Sequence, residues 1–133
     1  MLFRSLALTL FNNTIDKAQY GIYLSGAATS VVSYVNNIVS NSTMVGVTVA
    51  ASMTAVTHSN NALFGNTSNY AGSAVEGTAY VKADCQLDTS TGVPQTKPGS
   101  PCRGVGKLEG APATDYWNAS RGSKIDLGAV QGP

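Results

Sequence analysis

A chain of 133 residues with 43% hydrophobic content supports one domain with a real core and leaves little room for a second. Charged residues make up only 11% and the net charge is +1, which excludes an electrostatic footprint for nucleic acid or an acidic membrane surface. No apolar run approaches the roughly 20 residues of a membrane span.

The N-terminal stretch "MLFRSLALTLF" resembles a signal peptide only superficially. Asn12-Asn13 and Asp16-Lys17 interrupt its apolar run, and no small-x-small cleavage site follows at the right distance, so it reads as a first strand. Further along, "LALTLFNNTI" from Leu6, "SVVSYVNNIV" from Ser30 and "TAVTHSNNAL" from Thr54 are self-similar, with their Asn pairs 24 positions apart. The first two are followed by a polar turn and a second short strand, "GIYLSG" from Gly21 and "GVTVAA" from Gly46. A fixed period built from strands and turns alone predicts a solenoid whose successive coils pair as parallel strands. The fold class is all-β: about three coils over residues 1–77, then an irregular closing segment over 78–133 packed on the same domain.

Before each Asn pair the even positions are the apolar ones: Leu6, Leu8 and Leu10, then Val32 and Tyr34, then Val56. After it the odd positions take over, at Ile15, Val39 and Leu63. A strand running straight through would keep one phase, so the switch predicts a corner between two strands at each pair. Asn13, Asn37 and Asn61 then point inward, where stacked amides can donate to one neighbour and accept from the other. The outward phase carries Ala7, Thr9 and Phe11, then Val31, Ser33 and Val35, then Ala55, Thr57 and Ser59. Two of these columns are largely apolar and need covering, either by residues 78–133 folding back or by another chain.

Asn-Asn-x-Ile, a polar stretch and then Gly-Ile-x-Leu resemble the coils of right-handed parallel β-helix proteins of the pectate-lyase-like superfamily. "KPGSPCRGVG" from Lys97 and "DYWNASRGSKIDLGAV" from Asp115 resemble the closing segment of secreted bacterial members, although Val130 and Gln131 stand where Tyr and Glu are usual. The resemblance implies that Asp115, Arg121 and Asp126 pair within or cap the tail. Tyr116 and Trp117 are expected to anchor it by burying their rings. Relatives usually carry further coils upstream, and the first coil here starts without a polar cap, so the open end or the apolar face is expected to be buried in a homo-oligomer.

Catalysis in that superfamily gathers several carboxylates on one outward face, and the coils here offer only Asp16 beside Lys17. His58, the single histidine, falls in the column of Leu10 and Tyr34 with no acidic residue in the aligned rows, which predicts a packed His rather than a general base. No catalytic residue is assigned, and no cofactor or metal is called for. Asp84 and Asp88 match no calcium-loop spacing and are expected to cap their own turn. Cys85 and Cys102, 17 positions apart, fit either one disulfide or two buried thiols. Tyr20 and Tyr23, joined by Tyr34 if the inward phase is the opposite one, are the candidate ligand-binding residues, offering aromatic faces to a polysaccharide, and His58 is a further candidate. Three functions follow in order: a non-catalytic, self-associating β-helix module, a fragment of a polysaccharide lyase or glycoside hydrolase, and a carbohydrate-binding module. Family analogy suggests an extracellular or cell-surface location.

Overall fold

The computed structural model describes residues 7–132, so the predicted strand positions up to Leu6 lie outside the described residues. Each coil contributes three strands: β1 (Ala7–Phe11), β2 (Thr14–Asp16) and β3 (Tyr20–Leu24), then β4 (Val31–Val35), β5 (Ile38–Ser40) and β6 (Val45–Val49), then β7 (Ala55–Ser59), β8 (Ala62–Phe64) and β9 (Ser68–Gly72). Equivalent strands stack in parallel into three sheets, β1-β4-β7, β2-β5-β8 and β3-β6-β9. The 24-residue period is realised in the first two sheets, as in Leu10↔Tyr34↔His58 and Ile15↔Val39↔Leu63. In the third sheet Ile22↔Val47↔Tyr70 drifts by one residue each way, which is why its repeat is faint in the sequence.

The corner at each Asn pair is made by the first Asn. Asn12, Asn36 and Asn60 adopt φ of 54°, 60° and 51°, the left-handed region that Asn tolerates better than other side chains bearing a Cβ. One left-handed residue turns the chain and reverses the pleat, so Val32 and Tyr34 before it and Asn37 and Val39 after it all face inward and are buried. A second corner repeats the device at Lys17, Asn41 and Gly65, with φ of 59°, 54° and 69°. The core follows from this phase. Ile22, Val32, Tyr34, Val39, Val47 and Leu63 fill the interior, each worth on the order of 2 kcal/mol of hydrophobic stabilisation.

After β9 the chain lays one more partial rung on the stack before leaving it, with Ser59 bridged to Thr78 and Ala62 to Val81. The closing segment then forms a small antiparallel hairpin of β10 (Leu87–Asp88) and β11 (Gln95–Thr96). Cys85 and Cys102 form a disulfide with 5.3 Å between Cα atoms. Around it Ile38, Ala62 and Leu127 make a second small core on the outer side of the β2-β5-β8 sheet.

The tail covers part of the outward apolar face by running down the corner column in the direction opposite to the stacking. Val105 O accepts from Asn60 Nδ2, Lys107 exchanges two hydrogen bonds with the Asn36 amide, and Gly110 lies on the Phe11 ring. Val35 is thereby buried, whereas Val31 remains 51% exposed. One expectation is corrected. Tyr116 and Trp117 do not anchor the tail: they are 62% and 53% exposed and pack edge-to-face on each other. Ile125, Leu127 and Val130 are the buried apolar residues of this stretch. Asp115 braces the aromatic loop by accepting from the backbone N–H groups of Trp117, Ala119 and Gln131. Asp126 likewise accepts from Gly104 and Gly132 backbone N–H groups, and Arg121 donates to the carbonyls of Gly128 and Ala129.

Candidate functional site

Asn13, Asn37 and Asn61 form a directed ladder. Asn13 Nδ2 donates to Asn37 Oδ1 at 2.9 Å, and Asn37 Nδ2 donates to Asn61 Oδ1 at 2.9 Å. Each acceptor oxygen also takes the backbone N–H of the Asn one coil earlier, which fixes the orientation of the amides. Asn37 and Asn61 donate further to the Leu10 and Tyr34 carbonyls, whose strands end at this corner. The ladder thus satisfies backbone groups that the bend would otherwise strand away from water.

The ladder ends on Tyr80. The bridges on either side set Ala79 level with Asn60 and Tyr80 level with Asn61, and Ala79 takes φ of 55°, the value of the corner asparagines. Asn61 Nδ2 donates to the Tyr80 hydroxyl at 3.1 Å, and that hydroxyl lies 2.9 Å from His58 Nδ1. A hydroxyl has two acceptor lone pairs beside its one proton, so it either donates to His58 Nδ1 or accepts from it, according to the imidazole tautomer. This rung falls only 19 residues after its partners instead of 24, so the repeat conceals it.

His58 is half-buried and lies flat on Tyr34, with ring centroids 4.8 Å apart and planes 7° from parallel. Burial lowers the His58 pKa below its ordinary value. The same enclosure raises the phenols: Tyr70 is pushed up to about 12, and Tyr80 further still, in each case chiefly by desolvation. Tyr34 is fully buried, so it cannot serve as a surface platform for a ligand. Its hydroxyl makes no hydrogen bond of normal geometry; burial raises its pKa, and the nearby Tyr80 hydroxyl partly offsets that rise. Tyr20 and Tyr23 lie apart from this cluster on β3, 41% and 62% exposed, with ring centroids 6.0 Å apart in an edge-to-face pair.

A cleft of about 390 Å³ separates the outer side of the β2-β5-β8 sheet from the loop that the disulfide ties down. It brings Asp16 and Lys17 of the first coil together with Asp84 and Lys97 of the tail, a grouping that linear spacing conceals. Asp16 Oδ1 accepts from Ser40 Oγ at 2.7 Å and from Asn41 Nδ2 at 2.8 Å. Asp84 and Asp88 cap their own turns, accepting from the Gln86 and Ser90 backbone N–H groups.

Soft and borderline metal donors are dispersed among the described residues. Both cysteine sulfurs are used in the disulfide, Met53 is buried in the core, and Met44 Sδ accepts from Gln19 Nε2. His58 Nδ1 is engaged by Tyr80, and no three His, Cys, Asp or Glu side chains converge.

A stack of three-strand coils with inward amide ladders defines a short parallel β-helix. Residues 1–93, well over half of the chain, match the family described as periplasmic copper-binding protein (NosD), and the chain belongs to that family. Comparison with curated proteins and with solved structures finds no match.

Proposed function

We propose that this chain is a non-catalytic, self-associating β-helix module with an interaction or structural role. The exposure gradient along each inward column carries the reading. Leu8 is 37% exposed where Val32 below it is 2% exposed, and Ile15 is half-buried where Val39 is sealed. Among the described residues nothing pairs with the outer edges of β1, β2 and β3, and a row of unpaired N–H and C=O groups beside apolar side chains is a template for another chain.

The family description supports a periplasmic location, and a disulfide suits that oxidising compartment. Copper binding is part of that description, but the donors among the described residues are dispersed and do not fit a copper site, so the reading assigns no metal to them. A second reading, carbohydrate binding, is favoured by the exposed Tyr20 and Tyr23 pair; unchanged glycan affinity after alanine substitution of both would end it.

Light scattering coupled to size exclusion across a hundredfold dilution tests the main reading. A mass of twice 13.7 kDa is expected for the chain and 13.7 kDa for Leu8→Lys. A monomer throughout would overturn it. So would turnover of pectic or uronic-acid polysaccharides abolished by Asp16→Asn, which would make the cleft an active site.

A further inference from the structure

We propose that the cleft between the β2-β5-β8 sheet and the disulfide-tied loop binds a small zwitterion with an apolar body, an α-amino acid or a dipeptide. The proposal stands apart from self-association, since the cleft is built within one chain. Its floor is apolar: Ile38 and Ala62 of the sheet, both 1% exposed, with Leu87 of the hairpin and the buried Cys85. Its rim carries both signs of charge in balance, Asp16 and Lys17 from the first coil and Asp84 and Lys97 from the tail. At about 390 Å³ the space equals roughly a dozen water volumes, the scale of one large amino acid.

The Asp16 carboxylate is held in place by the coils that follow it. Gly65 in the third coil has no Cβ, and a Cβ there would strike Asn41 Oδ1. Asn41 is thereby able to turn its Nδ2 to Asp16 Oδ1, at 2.8 Å, where the buried Ser40 hydroxyl also donates, at 2.7 Å. Both bonds fall on Oδ1, so Oδ2 keeps its acceptor capacity for another group. Asp84 repeats the pattern: Oδ1 takes the Gln86 N–H, and Oδ2 has no partner among the described residues. Lys17 and Lys97 form no ion pair with those residues either.

Backbone conformation singles out the same place. Lys17 takes φ of 59° at a corner where the next coils place Asn41 and Gly65, which bear a left-handed backbone at lower cost. Gln86, with φ of 50°, lines the cleft as well. Of the described residues with positive φ other than Gly and Asn, only Ala79 lies elsewhere. A lysine kept at a corner that disfavours it is kept for its side chain.

Charge balance chooses the ligand. A carboxylate alone would face Asp16 and Asp84 uncompensated, and an ammonium alone would face Lys17 and Lys97. An amino acid answers both, its ammonium donating to the open carboxylate oxygens and its carboxylate accepting from the lysines, while its side chain covers Ile38 and Leu87.

Isothermal titration calorimetry of the full chain with L-leucine, L-phenylalanine and leucyl-phenylalanine tests this, beside N-acetyl-L-phenylalanine and L-phenylalanine amide, which each lack one charge. Saturable binding of a zwitterion is expected, weakened roughly tenfold or more by either block and by Asp16→Asn. Lys17→Asn separates function from fold. It gives the first coil the corner residue that the second already uses, so the denaturation midpoint should rise while affinity falls. Unchanged affinity in Lys17→Asn, equal binding of blocked and unblocked compounds, or no heat from any zwitterion at millimolar concentration would each overturn the proposal. So would tighter binding of D-galacturonate, which would make the cleft a site for acidic sugars.

Discussion

Two adjacent asparagines carry different duties. The first supplies a left-handed backbone and the second an inward amide, so substitutions at the two sites act through different physics. Asn37 is fully buried and its loss would strand the Leu10 carbonyl and the Asn13 N–H; Asn37→Ala should cost about 3 kcal/mol in chemical denaturation. Asn13 is exposed at the end of the ladder, and Asn13→Ala should cost less than about 1 kcal/mol by the same measurement. His58 gives a pH dependence of definite sign. Its folded pKa lies below the unfolded value of about 6.5, so its contribution to stability is fully present above that pH. Stability should fall as the pH drops below about 6.5, where the unfolded chain takes up the proton first, and level off below the folded pKa. His58→Phe keeps a ring on Tyr34 and should flatten this part of the profile, as read from denaturation midpoints across pH.

Among elements, the coils were legible because each strand reports its own pleat, and a period of 24 repeats that report in two of the three sheets. The inward column of Leu10, Tyr34 and His58 could be aligned from the sequence alone, and the stacking of His58 on Tyr34 follows from that register. The tail was legible only in part, because its contacts join residues with no common period. Nothing in "DYWNAS" distinguishes a buried aromatic from an exposed one held by the Asp115 brace. The Tyr80 rung was concealed because Ala79 occupies the corner position that Asn marks elsewhere. The linkage of tail to coils makes two predictions. Replacing both Cys85 and Cys102 by Ser opens a 17-residue loop and should lower stability by about 3 kcal/mol, which denaturation with and without reductant would measure. Gly128 has φ of 85° and leaves no room for a Cβ beside Thr14 and Ile38, so Gly128→Ala should cost at least about 2 kcal/mol and shift the denaturation midpoint accordingly.

At the scale of the whole molecule, stability is a sum of coils and the interfaces between them, and the middle coil has a neighbour on both sides. Its residues are accordingly the most deeply enclosed, with Tyr34, Asn37, Val39 and Val47 all at 0% exposure. The self-sufficiency of each corner has a consequence for how such a chain can change in length. Turning residue, ladder amide and strand pleat all lie within one coil, so length is a quantised property of this architecture. Duplicating Ser30–Met53, a segment of 24 residues, in tandem should add a fourth coil, leave both ends as they are and raise the melting temperature.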